Sequence, residues 1–214
     1  GYEAEPDLTA GCGACKNEEG RGRCLFCDSP LIFGADEETV MKIELRPWRL
    51  ADAPALAGLI NNKKVQDNLR DGLPFPYTTA HAEQFLAQVL NACPNDVFAR
   101  AIVAEGAVVG SLTAERQKNI HRYTAELGYY IGEPYWGRGI TTAAVRAACA
   151  WLFANTDLVR LYAEPFARNR ASCRVLEKAG FTLEGRLRQN AVKNGKSEDM
   201  MLYSLLREEW GRQA

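Results

Sequence analysis

Two glycines separated by one residue, Gly137-Arg138-Gly139, stand where a strand-like segment passes into a helix-like one. The segment before them is rich in Tyr and β-branched residues, and after them apolar residues recur at helical spacing from Ile140. The first turn of a helix has unpaired N–H groups and the positive end of the helix dipole, and glycine lets a ligand approach them closely. The stretch therefore predicts an anion cradle, with a purely structural turn as the alternative.

Two common phosphate-binding motifs do not fit this turn. A P-loop has Lys followed by Ser or Thr after its glycines, and neither pair is present here. A dinucleotide-binding fingerprint has a third glycine at the position that Thr142 occupies. The turn is therefore predicted to be neither a P-loop nor a dinucleotide-binding turn.

Four cysteines form a second group of residues with chemical potential: Cys12, Cys15, Cys24 and Cys27. Two Cys-x-x-Cys pairs within sixteen residues supply the four thiolates that one tetrahedral Zn²⁺ takes. Residues 1–40 contain few large apolar side chains, so a bound metal would supply folding energy. We predict a structural zinc-binding extension over 1–40. Two disulfides, a redox pair or a tail with unused thiols are the alternatives.

Composition and charge limit the classes of function. The chain has 214 residues, 47% of them apolar, enough for one core and a small appendage. Residues 1–40 hold nine acidic against three basic residues, and the remainder is mildly basic, which suits a small polyanionic ligand but is too scattered for nucleic acid. No apolar run could span a bilayer and no signal peptide opens the chain, so we expect a soluble, cytoplasmic protein.

The main domain is expected to begin at Met41 and to extend over 41–214, because alternating apolar residues start there. The order is strand, two helices, three strands, the glycine turn with its helix, strand, short helix and two strands. This is an α+β fold with a mixed, mostly antiparallel sheet of six to seven strands flanked by about four helices. The strands are predicted at 42–50, 98–104, 107–115, 123–131, 159–165, 181–190 and 197–206, and the helices begin near residues 52, 79, 140 and 171.

A second motif follows the glycine turn by about 30 residues, at the start of another helix: Asn169-Arg170-Ala171-Ser172. Together the two stretches resemble the GNAT superfamily of acetyl-coenzyme A dependent N-acetyltransferases, over residues 42–206. The chain looks most like the branch of ribosomal-protein N-terminal (alanine or serine) acetyltransferases and their small-amine relatives. The motifs that carry the resemblance are Arg46-Pro47-Trp48, Pro74-Phe75-Pro76-Tyr77, Leu127-Gly128-Tyr129-Tyr130-Ile131-Gly132, Tyr135-Trp136-Gly137-Arg138-Gly139 and the Asn-x-x-Ser helix.

The resemblance implies an acyl-CoA N-acyltransferase fold and acetyl-CoA as cosubstrate. It assigns the pantetheine arm to the backbone of Tyr130 and Ile131 and to Asn169, for which a helix cap is the alternative. Arg174 is a candidate phosphate contact, although a solvated helix face accounts for it more simply. The family's Gln or Arg three places before the first glycine is Pro134 here, so that side-chain contact is lost. The predicted pyrophosphate segment comprises Trp136, Gly137, Arg138, Gly139, Ile140 and Thr141.

Direct attack of a neutral amine on a thioester requires removal of an ammonium proton and stabilisation of a leaving thiolate. Glu126, on the strand before the turn, is the candidate base, directly or through water; a salt bridge on the strand face is the alternative. Many relatives have Tyr at the position of Leu176, whereas this branch commonly has Ser three residues after the Asn. The resemblance therefore assigns the thiolate to Ser172, whose hydroxyl could instead cap or pack. Asp199 either orients the amine or is an edge-strand charge.

The sequence thus predicts an N-acetyltransferase that moves the acetyl group of acetyl-CoA to a primary amine, either a protein N-terminal α-amine or a small molecule. Its expected partners are these two substrates, without nucleic acid or membrane, and a homodimer is one option for its assembly. The alternative function is a non-catalytic acyl-CoA-binding module that docks a partner through its zinc knuckle.

Overall fold

One mixed sheet organises the part of the chain that the computed structural model describes, residues 31–34, 42–93 and 95–213. Within these residues the strand order is β1-β2-β3-β4-β5-β6-β8-β7, and every neighbouring pair is antiparallel except β5 and β6. The strands are β1 (Leu31–Gly34), β2 (Lys42–Arg46), β3 (Val97–Ala104), β4 (Ala107–Arg116), β5 (Thr124–Ile131), β6 (Arg160–Ala163), β7 (Thr182–Lys193) and β8 (Lys196–Leu206).

Helices cover both faces of this sheet. The α-helices of the described residues are α1 (Ala53–Ile60), α2 (Lys63–Gln66), α3 (Thr79–Asn91), α4 (Ile140–Asn155), α5 (Arg170–Lys178) and α6 (Arg207–Gln213). Helices α1 and α3 pack together on one face, and α4 packs with α5 on the other. No helix of these residues is long and apolar enough to cross a bilayer.

Strand β3 shows why the sheet must be covered on both faces. Seven of its eight residues are buried, so its apolar run does not alternate with polar residues. Ala99, Ala101 and Val103 point into the cluster under α1 and α3, whereas Ile102 and Ala104 point into the cluster under α4. Side chains alternate along a strand, so one strand contributes to two cores.

Local signals in the sequence fix the ends of the helices near the site. Helix α4 begins after Gly139, whose positive φ of 76° suits glycine, and its small apolar residues bury one face against the sheet. Helix α5 begins at Asn169, whose side-chain oxygen accepts a hydrogen bond from the N–H of Ser172 at 3.1 Å. Helix α3 is capped in the same way by Thr78.

The α+β class and the seven strands expected between residues 42 and 206 are confirmed. Among the strands and α-helices of the described residues, three short elements were not expected: β1, α2 and α6. Strand β1 pairs with β2 although it precedes the predicted domain boundary at residue 40, so the sheet of the main domain continues into the extension. Cys12, Cys15, Cys24 and Cys27 lie outside the described residues, and the zinc site therefore stays a prediction.

Candidate active site

Strands β5 and β6 diverge, and this opens the sheet near its middle. Their parallel pairing covers three positions, ending at Glu126 opposite Tyr162. Strand β5 continues to Ile131, whereas β6 ends at Ala163. Beyond the last pair, the backbone of β5 on that side faces a gap instead of a neighbouring strand.

The register of β5 on β4 decides which backbone groups face this gap. Hydrogen-bonded and non-bonded pairs alternate along an antiparallel ladder. The N–H of Gly132 donates to the carbonyl of Val109 at 2.9 Å, and this bond fixes the alternation. The backbone groups of Tyr129 and Ile131 therefore point into the gap, whereas those of Tyr130 point toward β4. The carbonyl of Ile131 already accepts from the Trp136 indole, so the N–H groups of Tyr129 and Ile131 and the carbonyl of Tyr129 are the ones that face an extended ligand there. The backbone of Tyr129 therefore faces the gap, and not that of Tyr130 as predicted.

The glycine turn lies at the end of β5 and leads into α4. Gly137 and Gly139 have φ angles of 75° and 76°, in the left-handed region that glycine adopts without strain. A Cβ built on either residue has no atom within 4 Å, so the space above the turn is open. The N-terminal N–H groups of α4, a helix of 16 residues, border this open space. The geometry fits a phosphate-bearing ligand, as the sequence predicts.

The other residues of the predicted pyrophosphate segment take different places. The side chain of Ile140 is buried in the core, which leaves only its backbone toward the turn. The indole of Trp136 donates to the carbonyl of Ile131 at 2.8 Å and so joins the turn to the end of β5. Thr141 lines the cavity described next, and the guanidinium of Arg138 lies 5.7 Å from the ring centre of Tyr135.

A cavity of about 590 Å³ joins the gap to the space under α1 and α3. Its floor is formed by alternate residues of β4 and β5, which share one face of the sheet because they are paired in register. These floor residues are Ser111, Thr113 and Glu115 from β4 and Glu126, Gly128 and Tyr130 from β5. Leu69, Leu73, Tyr77 and Phe85 form an apolar wall on the helical side. The cavity therefore presents carboxylates and an apolar surface to the same ligand.

Glu126 is the carboxylate at the point where β5 and β6 diverge, and its side chain is 21% exposed. It forms an ion pair with Arg70 and accepts a long hydrogen bond from the hydroxyl of Tyr162 at 3.5 Å. Burial raises the pKa of Glu126, and the nearby carboxylates of Glu164 and Glu115 raise it further, while Arg70 and Tyr162 act in the opposite direction. A carboxylate with a raised pKa in a cavity suits a proton acceptor.

Ser172 is connected to Tyr129 across the gap. The Tyr129 hydroxyl lies 2.9 Å from Ser172 Oγ, where either group can donate, and it also lies 3.2 Å from the Ser172 carbonyl oxygen. Burial raises the pKa of Tyr129, so this phenol is protonated at neutral pH and available as a donor. If Tyr129 donates to Ser172 Oγ, the serine's own proton can point toward a ligand in the cavity.

The cavity brings together most of the predicted site residues. Glu126, Tyr130, Ile131, Trp136, Gly137, Thr141, Asn169 and Ser172 line it. Arg174 does not: it is exposed on α5 and is absent from the cavity wall. Asp199 is also absent from the wall; it accepts hydrogen bonds from Arg186 and from the N–H of Gln189. Cys173, next to Ser172, is buried.

Sequence reasoning missed two side chains of the site. Tyr129 was seen only as part of a motif, although alternation along β5 already puts it on the face opposite Glu126. Arg70 comes from a loop with no local pattern and reaches Glu126 across 56 positions of the sequence. Among the described residues no group of three or more His, Cys, Asp or Glu could hold a metal ion.

Comparison with known proteins gives one consistent family. The acetyltransferase (GNAT) domain family matches residues 42–182. A ribosomal-protein-serine acetyltransferase of Escherichia coli is 30% identical over 103 residues, 48% of this chain and 57% of that protein. A spermidine N(1)-acetyltransferase of the same organism is 28% identical over 156 residues, 72% of this chain and 80% of that protein.

A solved structure shows the same fold. The ribosomal-protein-S5-alanine acetyltransferase of Vibrio fischeri superposes with a TM-score of 0.72 at 24% identity, covering 84% of this chain and 98% of that one. The chain spans about half the length of the first curated relatives that it matches.

Proposed function

The chain belongs to the GNAT acetyltransferase family, and from that premise we propose that it transfers the acetyl group of acetyl-CoA to a primary amine by direct attack on the thioester. The observation that carries the proposal is one cavity that holds an open helix N-terminus, strand backbone that faces a gap in the sheet, and a half-buried carboxylate. When bound, acetyl-CoA supplies an activated acyl group with a thiolate leaving group.

The residues present suit that cosubstrate. Gly137 and Gly139 leave the space above the α4 N-terminus open, so backbone N–H groups there would bind the pyrophosphate. The gap-facing N–H groups of Tyr129 and Ile131 and the carbonyl of Tyr129 would pair with the amide groups of the pantetheine arm, as an added strand does. Asn169 caps α5, and its place in the cavity wall is compatible with a second contact to that arm.

Glu126 is the proposed base. An amine reaches the site mostly as an ammonium ion, and Glu126 would accept its proton directly or through water, leaving a neutral nucleophile. The new C–N bond forms as the C–S bond breaks, and the departing thiolate takes a proton. Ser172 would donate that proton, with Tyr129 hydrogen-bonded behind it. The second proton, which the nitrogen loses as the amide forms, would then return to the serine. A backbone N–H of β5 in the gap would polarise the acyl carbonyl.

The acceptor class is open between two chemistries. The family relatives include one named for a ribosomal-protein serine and one named for spermidine. The cavity supports an amine with an apolar body, because Leu69, Leu73 and Phe85 face the carboxylates of the floor. A protein N-terminus and a small amine both satisfy this description. Nothing in the described residues favours the alternative of a non-catalytic binding module.

An amine panel tests the function. The purified chain is incubated with acetyl-CoA and with spermidine or short peptides that begin with Ala or Ser, and free thiol is followed together with the mass of the amine. We expect turnover with at least one class and a fall in kcat/KM of about 10²–10⁴-fold in Glu126→Gln, the usual contribution of a general base. The control is Glu83→Gln, at an exposed position of α3.

Binding of acetyl-CoA measured in parallel keeps the test decisive. Cosubstrate binding without transfer to any amine would argue strongly against the proposal. An unchanged rate in Glu126→Gln would show that Glu126 is not the base, although the protein would still be an acetyltransferase.

We further propose that Cys12, Cys15, Cys24 and Cys27 bind one structural Zn²⁺ in the N-terminal extension. The support is the spacing of the thiols alone. Elemental analysis of protein purified under reducing conditions should find about one zinc per chain, as four thiolates around one tetrahedral ion require. Disulfides without metal in that preparation would contradict the proposal.

A further inference from the structure

Arg70 is the feature of the cavity that the proposed chemistry does not yet use. It lies in the segment between α2 and α3 and lines the cavity, and its guanidinium forms an ion pair with Glu126. The two partners differ in exposure, since the Arg70 side chain is 73% exposed and that of Glu126 is 21% exposed. The guanidinium therefore reaches a half-buried carboxylate from the solvent side.

The backbone that carries Arg70 is held in place on both sides. Arg168 donates to Asn68 Oδ1 at 2.8 Å and to the carbonyl of Asp67 at 2.5 Å. From the end of β7, Lys193 pairs with Asp71 at 2.7 Å. These contacts anchor the residues on both sides of Arg70, so rotation of the exposed Arg70 side chain is enough to release the ion pair.

The charges around Glu126 give Arg70 a defined electrostatic role. Glu115 faces Glu126 from β4, Glu164 follows β6, and the Tyr162 hydroxyl approaches from β6 itself. Burial and the two carboxylates favour the protonated form of Glu126, and the Arg70 cation favours the ionised form. An ionised carboxylate is the state that a proton acceptor needs.

An incoming acceptor amine carries the same charge as Arg70 and must approach the same carboxylate. The guanidinium contacts Oε1 of Glu126, and the Tyr162 hydroxyl contacts Oε2. An ammonium that binds this carboxylate therefore meets the guanidinium at one oxygen or lies close to its like charge at the other, and the repulsion favours loss of the Arg70 contact. An ion pair with a mostly exposed partner is weak, so its replacement costs little.

We propose that Arg70 is a displaceable counterion of Glu126, which holds the carboxylate ionised in the empty site and is replaced there by the ammonium group of the acceptor. The proposal rests on the proposed role of Glu126 as the base. Arg70 is a positioning residue in this scheme, and it competes with cationic acceptors for their binding position.

The first test reads the carboxylate without any turnover. Protein labelled with ¹³C in glutamate is titrated by NMR, and Glu126 is assigned by comparison with Glu126→Gln. Removing the cation destabilises the ionised form, so Arg70→Gln should raise the pKa of Glu126, and Arg70→Lys should restore it at least in part. Arg186→Gln is the matched control, because Arg186 is 62% exposed and pairs with a 22% exposed Asp199 outside the cavity wall.

The second test is steady-state kinetics with an amine that the wild type acetylates. Arg70→Gln should lower the KM for the amine by about two- to fivefold, the effect of removing a competing pair of ordinary strength. The acidic limb of the kcat/KM profile should move to higher pH. A merely structural role would instead raise the KM or leave it unchanged, and would not move the limb.

The two tests separate failure of this inference from failure of the proposed function. A Glu126 titration that is the same in Arg70→Gln and in the wild type overturns the counterion role, and an unchanged or raised KM overturns displacement by the acceptor. If the wild type acetylates no amine, the proposed function fails, and the NMR titration alone decides whether Arg70 holds Glu126 ionised.

Discussion

The hydroxyl of Ser172 is positioned by two hydrogen bonds that the fold supplies. Asn169 binds the Ser172 N–H and so sets the first turn of α5, while Tyr129 reaches Ser172 Oγ from β5. The first contact fixes the backbone of the serine and the second orients its proton. Proton donation to a leaving thiolate requires this orientation, because the serine has only one hydrogen to give.

We predict that Tyr129→Phe lowers kcat about three- to tenfold, since a neutral hydrogen bond contributes about 0.5–1.5 kcal/mol. Ser172→Ala should cost more, on the order of 10²-fold. The double variant should be no slower than Ser172→Ala, because Tyr129 acts through the serine. The measurement is single-turnover acetyl transfer at saturating cosubstrate.

Tyr203→Phe is the control for this comparison. Tyr203 is a buried tyrosine of β8 whose hydroxyl donates to Glu177 at 2.8 Å, and it is absent from the cavity wall. The Tyr203→Phe variant should unfold at a lower temperature than the wild type and keep the wild-type rate of acetyl transfer. Additive losses in the double variant would mean that Tyr129 contributes to catalysis by a separate route.

The two main candidates for catalysis were predictable for different reasons. Glu126 stands out because a carboxylate on an otherwise apolar strand needs an explanation, and Ser172 because its motif matches a family pattern. Arg70 was not predictable, since its partner lies 56 positions away and no local pattern joins them. The pKa of Glu126 thus depends on side chains, such as Arg70, that only the tertiary structure brings near.

At the scale of elements, the turn into α4 depends on backbone conformation. Gly139 caps the helix with a φ of 76°, and an L-residue in that region costs about 1–2 kcal/mol. The open space above it means that a methyl group would meet no protein atom. Under the proposed function, the methyl group would project into the space where the phosphate binds.

We therefore predict that Gly139→Ala raises the KM for acetyl-CoA by about tenfold or more, as loss of about 1.4 kcal/mol would. Gly106→Ala is the control: Gly106 has a φ of 80° in the β3–β4 turn and equally open surroundings. Both variants should unfold at a lower temperature, and only the first should bind cosubstrate more weakly. Equal KM values in the two variants would contradict the cradle.

The longer elements were predictable because each one carries its own period. Strand β4 was expected at 107–115 and spans Ala107–Arg116, and α3 was expected from residue 79 and spans Thr79–Asn91. Helix α2 was missed because its four residues make about one turn and include one apolar residue, so no helical spacing can recur. The divergence of β5 from β6 was not readable from the residues alone, since it depends on pairing between distant segments.

At the scale of the whole molecule, one ion pair joins the first strand of the main domain to its first helices. Arg46 donates to both carboxylate oxygens of Asp52 at 2.8 Å, and the N–H of Arg49 donates to the same carboxylate. Burial alone would raise the pKa of Asp52, but the bonds from Arg46 and Arg49 outweigh it and lower the pKa below its usual value of 3.8.

A pKa that is lower in the folded than in the unfolded chain gives stability above the unfolded value, and this stability disappears as the pH falls through the folded value. Asp52→Asn should lower the free energy of unfolding at pH 7 by about 1.5–3 kcal/mol, as for a hydrogen-bonded charged group. The difference between the variant and the wild type should shrink below about pH 4, where the unfolded carboxylate becomes protonated. Urea unfolding at pH 7 and pH 3 checks this, and a difference independent of pH would contradict it.

The pairing of β1 with β2 places a limit on where the chain can be shortened. Leu31 to Gly34 hydrogen-bond to Lys42 to Leu45, so removal of residues 1–41 would expose the edge of β2, whereas removal of residues 1–30 would not. Each kcal/mol lost shifts the unfolding temperature by about 2–4 °C in a domain of this size, and we expect a fall of several degrees only in the shorter chain.

Acetyl transfer should persist in both shortened chains, because β3 and β4 separate β2 from β5. Both chains lack the four cysteines, so neither should bind zinc. Equal unfolding temperatures for the two shortened chains would show that β1 adds no stability, and loss of activity on removal of residues 1–30 would give the cysteine extension a part in the chemistry.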